Sequence, residues 1–162
     1  MSLDLGNKKI LSITKKILLK YKLCDHCLGR VFARIESGLT NKKRGQILRK
    51  NHGKIKKIKV DDCWLCSGLL NEIKHFVDLI LNSLDGYEFD TFLVGSKVDE
   101  DILDKEQELY NFTGSEYSES IKTELNREIG KILENRLDQE VNFENPTIMI
   151  VIDTSYDIVN LQ

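Results

Sequence analysis

Leu23-Cys24-Asp25-His26-Cys27-Leu28-Gly29-Arg30 is answered, after 35 residues that follow its second cysteine, by Cys63-Trp64-Leu65-Cys66. A two-residue gap brings both sulfurs of a pair to the same side of a turn. Two such pairs supply the tetrahedral thiolate set that zinc favours, so Cys24, Cys27, Cys63 and Cys66 are expected to hold one structural zinc ion. The gap between the pairs exceeds ordinary ribbon or finger spacing and predicts a helical insert that the metal ties down. His26, squeezed between two cysteines, points outward in such a turn, which leaves Cys₃His as a formal alternative only. A dithiol redox motif fits poorly, because neither pair follows a strand. An iron–sulfur cluster would use the same donors and stays open.

Outward from the cysteines, apolar spacing divides the 162-residue chain. Ile10, Ile13, Ile17 and Tyr21 recur at helical intervals between lysines and predict an amphipathic helix over 8–21. A turn at 23–30 leads to a short helix over 31–36, and Thr40 or Asn41 caps another that runs to Lys50. Leu69, Leu70, Ile73, Phe76, Val77, Ile80, Leu81 and Leu84 share one face of a helix stopped by Asp85-Gly86. Strand follows over 89–95, then an acidic helix over 99–110 and a long helix over 118–137. Pro146 opens Thr147-Ile148-Met149-Ile150-Val151-Ile152, an unbroken apolar run that reads as a central strand. A turn and a last strand, 158–161, complete the pattern. The helical crossover makes the strands at 89 and 148 parallel, and the closing hairpin adds an antiparallel strand. The expected class is α+β: a small mixed sheet of three strands with flanking helices, beside an N-terminal helical Cys₄ module. The division expected is 1–68 and 69–162. An ending directly after a strand suggests a piece of something longer.

Charge is unevenly spread. Residues 1–81 carry 18 Lys/Arg against 7 Asp/Glu, and residues 82–162 carry 6 against 19, within a net charge of −2. Between Thr40 and Val60 there is no acid at all. A polyanion would bind this basic half, and Lys54, Lys56, Lys57 and Lys59 are its candidate contacts. Lysine-rich surface also serves solubility alone. No run of eighteen apolar residues predicts a membrane span, and Met1-Ser2-Leu3-Asp4 is no secretory leader, so a cytoplasmic location with reduced thiols is expected.

No catalytic constellation stands out. His52 and His75 read as surface or satisfied residues, and Asp99, Glu100, Asp101 and Asp104 as a solvated helix start. Gly95-Ser96-Lys97 follows a strand but lacks the spacing of a phosphate loop. Trp64 either stacks on a base or packs over the cysteine cluster.

The stretch 23–33 (L-C-D-H-C-L-G-R-V-F-A) resembles the opening of the archaeal and eukaryotic THUMP-containing tRNA pseudouridine synthases that act on T-loop uridines. Phe92-Leu93-Val94-Gly95-Ser96-Lys97 is similar too, as are the block 119–131 (E-S-I-K-T-E-L-N-R-E-I-G-K) and Phe143-Glu144-Asn145-Pro146. The resemblance runs from about residue 10 to the end. It implies a zinc-bearing module and a THUMP-like domain that grip tRNA, with Lys97, Lys122, Arg127 and Lys131 falling in the matching segments. It also implies a catalytic domain, with its aspartate, C-terminal to this region, so the chain alone should not isomerise uridine. A zinc-stabilised protein-interaction module without RNA binding is the alternative, its acidic half docking a basic partner.

Overall fold

The computed structural model describes residues 4–51, 59–113 and 120–162. The chain forms two compact units, Met1–Leu69 with Asp101–Ile121, and Leu70–Glu100 with Lys122–Gln162.

In the first unit, α1 (Lys8–Lys20) is capped by Asn7, whose side chain accepts from the Lys9 amide, and buries Ile10, Thr14 and Ile17. The following α2 spans Asp25–Val31, earlier than the 31–36 expected. Cys24 occupies its N-cap position and Asp25 its first turn, where the helix dipole favours a carboxylate. The motif read as a turn is therefore a helix start, which periodicity cannot register in seven residues. Thr40 caps α3 (Asn41–Lys50) by accepting from the Lys43 amide, as the sequence suggested.

Helices α2 and α3 touch backbone to backbone through two glycines. A Cβ on Gly29 would lie 1.8 Å from the Asn41 carbonyl oxygen, and one on Gly45 would lie 1.9 Å from that of Asp25. Glycine inside a helix costs about 1 kcal/mol relative to alanine. Here it is the only residue that admits the approach. The connection between these helices wraps around Arg44, which is 2% exposed. Its guanidinium donates to the carbonyls of Ile35 (2.8 Å), Gly29 (3.1 Å), Glu36 (3.3 Å) and Leu39 (2.9 Å), and to Asn41 Oδ1 (2.6 Å). A fork of five N–H donors thus satisfies carbonyls that the end of α2 and its loop leave without helical partners. Helix α5 (Glu100–Thr113) adds its buried Glu106 and Leu109 to this unit.

The second unit is built on a four-stranded sheet. Its strands are β1 (Thr91–Lys97), β2 (Glu140–Val141), β3 (Ile148–Asp153) and β4 (Ile158–Leu161), in the order β2-β1-β3-β4. As expected, β1 and β3 are parallel, from Phe92 opposite Ile148 to Lys97 opposite Asp153, and β4 is antiparallel to β3. The fourth strand, β2, was not anticipated. It pairs parallel to β1 through Thr91 with Glu140 and Phe92 with Val141, and two residues are too few to show a period of two. Phe92, Val94, Ile148, Ile150 and Ile152 alternate inward. Helix α4 (Ile73–Ser83) contributes Phe76, Val77 and Ile80 to the core. Helix α6 (Ile121–Leu137) sends Leu125, Ile129 and Leu133 inward, all fully buried. Each such side chain stabilises the unit by about 1.5–3 kcal/mol through burial.

Candidate metal centre

The two cysteine pairs meet. Cys24 and Cys27 flank the first turn of α2. Cys63 follows a short 3-10 turn (Val60–Asp62), and Cys66 precedes Ser67 and Gly68, both with left-handed backbone (φ 48° and 90°). At Gly68 a side chain would also collide with Asp61 Oδ1, 2.8 Å from the added Cβ. This tight turn folds Cys66 back towards Cys63, and the Ser67 amide donates to the Cys63 carbonyl at 3.0 Å.

All four sulfurs lie within 4.8 Å of one another, are buried and are unbridged. The Cys24 and Cys66 sulfurs are 3.8 Å apart. A tetrahedron with metal–sulfur bonds of about 2.3 Å has edges of about 3.8 Å, so the set fits a metal ion of that size. Hydrogen bonds, from Cys24 first and then Cys27, hold the Cys63 and Cys66 thiols below the usual thiol range. Burial, followed by hydrogen bonding to Cys24, pushes Cys27 up. At Cys24 the lowering effect of Cys27 is outweighed by Cys63, Cys66 and burial, and the net direction is upward. Four thiols this close cannot hold their protons independently. A divalent cation held by the four sulfurs would displace those protons and relieve the crowding.

The surroundings suit negative charge. Arg30, fully buried, donates from Nη2 to Cys27 Sγ at 3.2 Å and lies 3.9 Å from Glu106. Glu106 in turn accepts the Ile121 amide at 3.0 Å and the Tyr110 hydroxyl at 3.0 Å. Burial and then the Glu106 charge push the Tyr110 phenol up, which keeps it a donor. Arg49 donates to Asp25 (2.9 Å) and to the Leu23 carbonyl (2.6 Å), bracing the first cysteine pair from α3. A buried guanidinium beside a thiolate set offsets its charge and fixes ligand orientation.

Sequence reasoning passed over Arg30, Glu106, Arg44 and Arg49. Only the three-residue spacing of Cys27 and Arg30 along a helix face was a usable signal. Trp64 is a packing residue. Its ring centroid is 4.3 Å from that of Tyr21, Lys105 Nζ sits 5.2 Å from it, and the same ammonium donates to the Trp64 carbonyl at 3.1 Å. His26 is outside the sulfur cluster.

Of the candidate RNA contacts, Lys54, Lys56 and Lys57 lie outside the described residues. Lys59 is exposed just before the second cysteine pair, and Lys97 is exposed at the end of β1. Lys122, Arg127 and Lys131 are all exposed on α6. Arg127 and Lys131 stand one turn apart, whereas Lys122 is rotated from Arg127 by about 140° around the helix. These three do not form a single stripe.

A sulfur cluster in a helical unit and a mixed sheet in a second unit define an α+β protein with, among the described residues, one metal-competent thiol centre. Residues 76–153 match the family model for the Pus10 THUMP domain, archaeal. The chain is 36% identical over 148 residues to tRNA pseudouridine synthase Pus10 of Picrophilus torridus, covering 90% of this chain and 39% of the relative. It is 35% identical over 157 residues to the Pus10 of Pyrococcus furiosus, covering 94% and 40%. The Nitrosopumilus maritimus Pus10 is 26% identical over 155 residues, covering 96% and 39%. Over most of its length the chain therefore matches the THUMP-containing pseudouridine synthase family. It spans about 40% of the length of these curated relatives. No solved structure matches it.

Proposed function

We propose that this chain is the tRNA-binding accessory region of a tRNA pseudouridine synthase that isomerises uridine to pseudouridine in the T-loop. Its two modules would be a zinc module (1–68) and a THUMP-like domain (69–162). The observation that carries the reading is the match to about two-fifths of the length of relatives named as tRNA pseudouridine synthases, with a THUMP match over 76–153. Cys24, Cys27, Cys63 and Cys66 would hold zinc, which in a closed thiolate set supplies a cross-link and no open position for chemistry.

Binding would proceed by charge. Lys54, Lys56, Lys57 and Lys59 from the insert, with Lys97, Lys122, Arg127 and Lys131, neutralise phosphates and release counterions. RNA shape and unpaired ends supply selectivity. The isomerising aspartate belongs to a further catalytic domain of the whole enzyme, so this chain by itself is expected to bind without converting uridine. A cytoplasmic setting accords with the reduced thiols. No helix among the described residues is long and apolar enough to cross a membrane.

The test is a gel-shift with deacylated tRNA, with and without its 3′ end, across a salt series. Affinity should fall steeply between about 50 and 200 mM salt. Replacing Lys54, Lys56, Lys57 and Lys59 together by glutamate should weaken it further. Affinity indifferent to salt, or no binding at all, would overturn the reading in favour of a protein-interaction module.

A further inference from the structure

Beside α6 the sheet unit carries a groove of about 520 Å³, within the size range of pockets that hold small ligands. Asn126, Arg127, Gly130 and Lys131 line it from the helix, Leu93 from β1, and Phe143 from the segment after β2. We propose that this groove binds one unpaired RNA nucleotide, its base stacked on Phe143 and its phosphate held by Arg127 and Lys131. The proposal rests on the RNA-binding reading above and assigns a site within it.

Four observations converge. Phe143 is 82% exposed, the most exposed large apolar side chain among the described residues. An aromatic ring left in water beside a groove is a stacking platform, because every base has a π-face. Arg127 and Lys131 stand one helical turn apart on the same rim, against a single acid, Glu134. The Arg127–Glu128 pair, 3.8 Å apart and more than a third exposed on both sides, is a surface pair worth little.

Asn126 keeps its Oδ1 out of solvent with no hydrogen-bond partner. An orphan acceptor of this kind costs about 1–3 kcal/mol. A turn of the amide offers it to a base amino group or a ribose hydroxyl in the groove. Gly130 is the fourth observation. A Cβ there would meet only Val141 Cγ2, at an ordinary 3.6 Å, so packing does not demand a glycine. Mid-helix glycine nevertheless costs about 1 kcal/mol. What it provides is an unobstructed floor.

The experiment uses the full chain with three fluorescent probes: deacylated tRNA, a short single-stranded RNA, and the same sequence as a blunt duplex. The single strand should bind more tightly than the duplex. Phe143→Ala should lower single-strand affinity about tenfold, the loss expected for one stacked base. Gly130→Leu should block the groove to a similar extent, and circular dichroism checks its folding. Phe143→Ala, at an exposed position, keeps the test valid if Gly130→Leu does not fold. Should the chain bind tRNA while Phe143→Ala holds the single strand as tightly as the parent, the groove assignment is overturned and the RNA-binding reading survives. Equal affinity for duplex and single strand would overturn it as well. Failure to bind any of the three probes would sink the underlying reading itself.

Discussion

Among the described residues, Thr14, Asp25, Arg30, Asn41, Arg44, Arg49 and Glu106 are buried in the thiol-bearing unit, whereas Ser96 and Glu124 are the buried polar residues of the sheet unit. The sheet unit is held by apolar layers: Ile148, Ile150 and Ile152 from β3, and Leu125, Ile129 and Leu133 from α6. In the thiol unit, short helices in contact through Gly29 and Gly45 leave little room for large apolar side chains between them. Guanidinium groups bonded to carbonyls, and sulfurs gathered at one point, hold that contact, while Ile10, Ile17, Leu28, Leu48 and Leu109 supply an apolar core around it. Small regions commonly gain stability from a metal or other cross-link in addition to their core. The difference teaches that the two units should fail under different insults.

Metal removal should give the largest effect. Chelation, or Cys63→Ser, should abolish stoichiometric metal by elemental analysis and remove hydrogen-exchange protection from α2 and α3, while β1 and β3 keep theirs. Structural zinc contributes about 10–16 kcal/mol in small metal-dependent folds. Purified protein with no bound metal and full protection in α2 would refute the division.

Arg44→Met comes next, because it strands the carbonyls of Gly29, Ile35, Glu36 and Leu39 at once. A loss of about 4 kcal/mol is expected in denaturant unfolding. A change below about 1 kcal/mol would mean that water replaces the guanidinium and the loop is not organised by it. Ile150→Ala should cost about 3 kcal/mol, with metal content unchanged. Loss of metal in that variant would show the units to be coupled rather than separately stabilised. Lys131→Ala should leave stability within about 0.5 kcal/mol and lower the salt slope of tRNA binding by about 1. An unchanged slope would remove Lys131 from the contact surface.

Much of the sheet unit could be read along the chain. The run 147–152 and the apolar spacing of α4 and α6 made strands and helices recognisable, since burial repeats with the period of each element. The pair β2 escaped because Glu140 and Val141 have no pattern of their own; the neighbouring strand β1 defines them. At the candidate centre the four cysteines that meet were legible from spacing alone, but their supports were not. Arg44 and Arg49 sit in an acid-free stretch and look like solvent-facing charge. Burial came from partners that include carbonyls, and any residue supplies a carbonyl.

What the sequence by itself determined is therefore the donor set, Cys24, Cys27, Cys63 and Cys66, and the alternation of helix and strand, because both depend on residue type at short spacing. Tertiary structure decided which arginines became interior, which unit claimed α5, and that Phe143 stands exposed beside Arg127 and Lys131. Those outcomes depend on which backbone and side-chain groups meet across long separations in the chain, and no local pattern encodes such meetings.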